Sequence, residues 1–187
     1  MKKKSYFKDI YNFDKASNSY CIEVSLDNYE DVYDDWDPAP FKKRDIEDEF
    51  NDFIVNSSED IPLKYKTTIV LYLPQSKKDE AKEAALRSAY RNYYAYALER
   101  LNISLSNLYR KIGMYLVLSL LFLTVGYFFF KEDQNVLLNV LHEGIFIGGW
   151  VFLWEFFTEI FINRKKIVEE HKLFERIYNS EIRFSYY

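Results

Sequence analysis

The chain has 187 residues, 49% of them hydrophobic, and a formal net charge of -4. That acidic balance argues against generic nucleic-acid binding, which needs basic density facing phosphate, and one Cys with two His makes a thiolate or His-rich metal site a poor fit. The apolar residues concentrate in two late stretches, 112–130 and 136–162, while the first 111 residues carry 18 Lys or Arg against 20 Asp or Glu; such segregation is a membrane signature.

The opening MKKKSYFKDIYNFDKASN is basic, but no apolar run follows it, so it does not read as a secretory signal. YCIEVSL at 20–26 alternates as a strand. From 23 to 60 the chain holds 14 acidic residues and three basic ones, Lys42, Lys43 and Arg44. Asp34, Asp35 and Asp37 lack the spacing and glycine of a calcium loop, and the run reads as a solvated acidic loop. Within it DPAPFKKRDI is the candidate partner-docking segment, with Phe41 as an apolar anchor beside Lys42, Lys43 and Arg44. A helix is predicted over about 45–55, with Ile46, Phe50, Phe53 and Ile54 as its apolar face.

TTIVLYL at 67–73 is the stronger strand, ended by Pro74. Ser76 stands where a helix cap belongs, Asp79 and Glu80 suit the first turn, and no Gly or Pro interrupts the chain before Gly113. Tyr94, Leu98, Leu101, Leu105, Leu108 and Ile112 alternate four and three apart, a heptad stripe leading into the first apolar stretch. A continuous helix over 77–130 would be about 80 Å long, with NISLS at 102–106 as the place for a bend. Tyr90, Tyr93, Tyr94 and Tyr96 read as packing or membrane-surface residues.

IGMYLVLSLLFLTVGYFFF at 112–130 has no charge, and its length of about 28 Å matches a bilayer's hydrocarbon core. After the short KEDQN turn at 131–135, a second span is predicted over about 140–161, interrupted by His142, Glu143, Glu155 and Glu159. Arg100, Arg110 and Lys111 precede the first span, and Arg164, Lys165 and Lys166 follow the second. The positive-inside rule then places both termini in the cytoplasm and the turn outside.

His142, Glu143, Glu155 and Glu159 form the candidate intramembrane polar site. Glu155 and Glu159 lie one turn apart, whereas Glu143 is offset, so the acids make no single stripe. They either pair with Arg164 or nearby basic groups at the inner interface or line a water path built by several copies. Gly144, Gly148 and Gly149 on the second span, with Ser119 and Gly126 on the first, are the candidate helix-packing residues, within the hairpin or between subunits. A further helix is predicted over 163–178. EIRFSYY at 181–187 then returns as an edge strand with Ile182, Phe184 and Tyr186 inward.

The segments DPAPFKKRDI, SSEDIPLKY, YLP with KKDEAKEAA, and HEGIFIGGWVFLWEFFTEIF resemble a family of small, uncharacterised bacterial membrane proteins. The resemblance covers 37–178 and implies a common architecture without a chemistry. INRKKIVEE departs from the tryptophan-rich, proline-containing segment that follows the second span in similar proteins.

The expected fold is thus an α/β membrane protein. Residues 1–111 form a cytoplasmic α/β region and helical stalk, 112–162 a transmembrane hairpin, and 163–187 a cytoplasmic helix and strand, with about three strands in the sheet. No Walker loop, dinucleotide fingerprint, zinc pattern or nucleophile elbow is present, so no catalytic, cofactor-binding or metal residue is assigned. The function expected is a recognition or assembly module at a bacterial inner membrane, with the lipid bilayer, further copies of itself or a cytoplasmic protein as partners and no nucleic acid. An oligomeric ion channel or small-ion transporter is the alternative.

Overall fold

A computed structural model describes residues 6–37, 45–129 and 136–187. The chain divides into two compact units, one of residues 1–100 with 170–187 and one of residues 101–169. In chain order the elements are α1 (Phe7–Ile10), β1 (Phe13–Asp14), β2 (Ser19–Ser25), a 3-10 turn (Tyr29–Val32), α2 (Asp48–Asp60), β3 (Lys66–Leu73), α3 (Glu80–Phe129), α4 (Val136–Thr158), a π turn (Glu159–Asn163), α5 (Arg164–Tyr178) and β4 (Glu181–Tyr186).

The first unit is built on one mixed sheet of order β1-β2-β3-β4, antiparallel between β1 and β2 and parallel elsewhere. Four strands replace the expected three or so. The addition is β1, two residues long and too short to show alternation. Its turn is set by polar chemistry, since Asp14 accepts from the Ala16 amide at 2.9 Å and the Ser17 hydroxyl at 2.7 Å. Asn18 completes the reversal at φ 52°, a conformation Asn tolerates better than most side chains.

Parallel pairing requires a crossover between neighbours. β2 and β3 are joined through α2, and β4 reaches β3 only after α3, α4 and α5. The register puts Ile22, Ile69 and Ile182 side by side, then Val24, Leu71 and Phe184. This face belongs to the same apolar cluster as Phe50 and Ile54 of α2, Leu86, Tyr90 and Tyr94 of α3, and Leu173 and Ile177 of α5. The C-terminal strand therefore returns to the sheet, with Ile182 buried and Phe184 and Tyr186 packed against the core.

Three local expectations change. Helix α2 starts later and runs longer than 45–55, because Ser57 and Ser58 also bury and extend its inner face to Phe50, Ile54, Ser57 and Ser58. Ile46 is buried ahead of that helix in a bridge to Tyr33, and Phe53 is exposed. Ser76 lies in a 3-10 turn and caps nothing. Asp79 caps α3, its Oδ1 accepting from the amides of Ala81 at 2.9 Å and Lys82 at 3.2 Å. Helix α3 runs uninterrupted from Glu80 through 102–106 to Phe129, the continuity expected of it.

Tyrosines settle much of the helix packing. Tyr90 and Tyr94 are fully buried, and their hydroxyls donate to the Ile177 carbonyl and to Asn51 Oδ1, each at 3.0 Å. Burial raises the pKa of both phenols, which keeps them protonated as donors. Tyr93 is half-buried, while Tyr96 is exposed.

Arg176 of α5 donates to the carbonyls of Ile61, at 2.8 Å, and Ser58. It closes the C-terminal end of α2 with a cation, where unpaired carbonyls and the helix dipole both favour one.

Candidate functional site in the helical hairpin

The second unit contains two helices long and apolar enough to cross a membrane. Their mutual packing follows a seven-residue rhythm on α3. Leu108, Ile112, Ser119 and Gly126 are buried at spacings of four and seven, with Tyr115 and Phe122 half-buried between them. On α4, Gly149 is buried and Ile145, Gly148 and Phe152 are half-buried.

Glycine lies where these faces come close, with least room at Gly149. A Cβ on Gly149 would stand 2.8 Å from Leu123 Cγ and 3.1 Å from its amide nitrogen, and one on Gly148 would lie 3.1 Å from Phe122 Cδ1. A Cβ on Gly126 would lie 3.1 Å from Phe146 Cδ2, whereas Gly144 is exposed with nothing within 4 Å. The packing glycines within the hairpin are therefore Gly126, Gly148 and Gly149. Ser119 is fully buried and its hydroxyl has no hydrogen-bond partner among the described residues.

The polar residues separate along the hairpin. His142 Nε2 lies 2.9 Å from the Gly126 carbonyl, which ties the start of α4 to the end of α3. Glu143 is exposed beside it. Glu159, 16 residues after Glu143, is buried and paired with Lys111, and Asn163 Nδ2 donates to its other carboxylate oxygen at 2.7 Å. Glu155 is half-buried one turn earlier and contributes to the electrostatic field at Lys111.

The partner of Glu159 is Lys111 and not Arg164. Arg164 Nε donates to the Tyr109 hydroxyl at 3.0 Å, with its guanidinium 6.0 Å from that ring's centroid. Glu159 opens the π turn, and π turns inside α-helices are frequent at functional positions. Chemically the arrangement satisfies a carboxylate by an ammonium and an amide. Among the described residues no group of three or more His, Cys, Asp or Glu could hold a metal ion.

In the first unit, a cavity of about 260 Å3 opens at the first residues of the parallel strands, lined by Ser17, Ser19, Thr67, Thr68, Arg176 and Asn179 among others. Its hydroxyls bond one another, Ser17 to Ser19 at 2.7 Å and Ser19 to Thr68 at 2.6 Å. Arg176, which lines it, is already engaged at the end of α2. The opposite sheet face from the core carries an ion pair of Arg183 with Asp14 at 2.5 Å, and the guanidinium holds the Asp14 carboxyl well below the usual carboxylate range. Phe41, Lys42, Lys43 and Arg44 lie outside the described residues, as does the 131–135 turn.

Fold and site together define a two-part chain, with a mixed four-stranded α/β unit and a pair of apolar helices compatible with membrane spans. No protein-family model, curated protein or solved structure matches it.

Proposed function

We propose that the chain is a recognition or assembly module, without catalysis of its own, held at the cytoplasmic face of a bacterial inner membrane by its helical hairpin. The observation that carries this reading is the outward apolar surface of the second unit: Val117, Leu120, Ile147, Val151 and Trp154 are each more than half exposed. A soluble protein rarely leaves so much contiguous apolar area in water, whereas lipid accepts it. Arg110, Lys111, Arg164, Lys165 and Lys166 flank this surface and support an arrangement with both termini inside. Phe41 to Arg44 supplies the docking segment for a cytoplasmic protein, and further copies of the chain are the other partner class.

The channel alternative has less support. Glu159 is paired with Lys111 and hydrogen-bonded by Asn163, and His142 is engaged with a backbone carbonyl. One experiment separates the readings. A photoreactive residue at position 41 in living cells should yield a discrete protein adduct that is lost when Lys42, Lys43 and Arg44 are changed to Glu, while the purified chain in liposomes should carry no ion flux. Flux abolished by E155Q/E159Q, with no adduct at position 41, would transfer the assignment to a conduction path.

A further inference from the structure

We infer that the basic end of the hairpin holds a specific site for an anionic phospholipid of the cytoplasmic leaflet, with its phosphate on Arg164 and Lys165 and an acyl chain along Phe157 and Phe161. The inference rests on the membrane reading above and adds a ligand to it.

The cations there are not equivalent. Lys111 is consumed by Glu159. Arg164 is held through Nε by Tyr109, and among the described residues no carboxylate lies within ion-pair distance of it. Its two terminal amino groups therefore present an oriented fork, the geometry that suits phosphate and loses little entropy on binding. Lys165 is 3.9 Å from Glu169, with both side chains largely exposed, a loose pair that a phosphate can displace.

The adjoining surface fits a lipid tail. Phe157 and Phe161 stack with ring planes 16° apart and centroids 6.0 Å apart, and both are exposed. Arg164 and Lys165 follow Phe161 within about one turn. Two stacked aromatic rings ending at a guanidinium that has no carboxylate partner among the described residues match a molecule with an acyl chain on one side and a phosphate on the other. A soluble anion would use only the polar end.

Trp154, exposed and three residues before Phe157, reports on the same stretch. With Trp36 and Trp150 changed to Phe, the full chain is reconstituted in phosphatidylcholine vesicles containing brominated phosphatidylglycerol or, at equal mole fraction, brominated phosphatidylcholine. Brominated phosphatidylglycerol should be enriched beside Trp154 about five-fold per engaged cation, the value that a cation at an anionic membrane surface implies. R164Q/K165Q should bring the two lipids to parity and leave quenching by brominated phosphatidylcholine unchanged, which also verifies that the variant is inserted. R164K, which keeps charge but loses the Tyr109-held fork, should give an intermediate preference. Parity in the unmodified site, or a preference that survives R164Q/K165Q, would overturn the assignment. So would displacement of the lipid by soluble glycerol phosphate, which would mark a site for free phosphate. Failure of the chain to float with pure phosphatidylcholine vesicles would instead overturn the membrane reading beneath it.

Discussion

Replacing Lys111 with Met should destabilise the hairpin more than replacing both Lys111 and its partner. Glu159 is 4% exposed at its side chain and Lys111 48%, so the two deletions strand very different groups. In K111M a carboxylate remains buried with only the Asn163 amide to satisfy it. Removing one partner of a buried ion pair costs about 3–5 kcal/mol. The half-exposed ammonium and the surviving Asn163 bond reduce that here to about 2 kcal/mol. E159L leaves a lysine that can extend its head to the interface, for a cost of about 1 kcal/mol or less. The double variant K111M/E159L leaves no buried charge, and it should recover most of the loss seen in K111M.

The assay is thermal unfolding in a mild detergent, followed by the fluorescence of Trp150 and Trp154 with Trp36 changed to Phe. At about 2–4 °C per kcal/mol for a chain of this size, K111M should lower the hairpin transition by about 4–8 °C and the double variant by clearly less. If K111M and E159L cost the same and the double variant shows their sum, the two side chains act independently and the pairing argument fails.

Three further outcomes follow from the same reasoning. Arg183 depresses the Asp14 pKa below its ordinary value of 3.8, so the stabilisation is fully present above that value and is lost as pH falls through it toward the folded one. R183Q should therefore flatten the acid limb of a stability-against-pH curve measured by circular dichroism, and an unchanged limb would show that this pair does not set it. Arg176→Met should expose amides near the end of α2 to faster hydrogen exchange, at a cost of about 1–3 kcal/mol for stranding the Ile61 carbonyl, the Ser58 carbonyl keeping its bond from the Ile61 amide, and unchanged protection of that helix would remove the capping role. Gly149→Leu should separate α3 from α4 and weaken a disulfide cross-link engineered between them, whereas Gly144→Leu, placed in open space, should leave that cross-link intact; equal effects would contradict the assigned packing face.

The elements that depend on long patterns could be read from sequence. The β2, β3 and β4 segments each carry alternating or continuous apolar character, and the two apolar stretches declare themselves by length and absence of charge. Features set by one side chain were less legible. Asp79 and Ser76 are both acceptable caps by residue type, and only the 3-10 turn over Gln75–Lys77 decides between them. Ile46 has helical spacing to Phe50, yet its backbone pairs with Tyr33 before the helix begins. At the hairpin base, Lys111 and Arg164 are equally suitable partners for Glu159 by charge. The choice depends on a π turn and on a tyrosine that engages the arginine, neither of which has a periodic signature.

The stripe on α3 shows why glycine spacing alone does not locate the packing face within the hairpin. From Tyr94 to Ile112 the residues on that stripe are large, and where water is the solvent buried area sets the gain. Beyond Ile112 the same rhythm continues through Tyr115, Ser119, Phe122 and Gly126, but small residues enter it. In lipid a leucine gains nothing by leaving one apolar solvent for another, and helices associate through close backbone approach. A buried Ser119 fits that change because it occupies little space on the contact line. Gly149 meets Leu123 for the same reason, and Gly148 meets Phe122. Gly144, four residues before Gly148, satisfies the linear motif but falls off the contact line, because the line on α4 is fixed by what α3 presents opposite it and not by the spacing of glycines within α4.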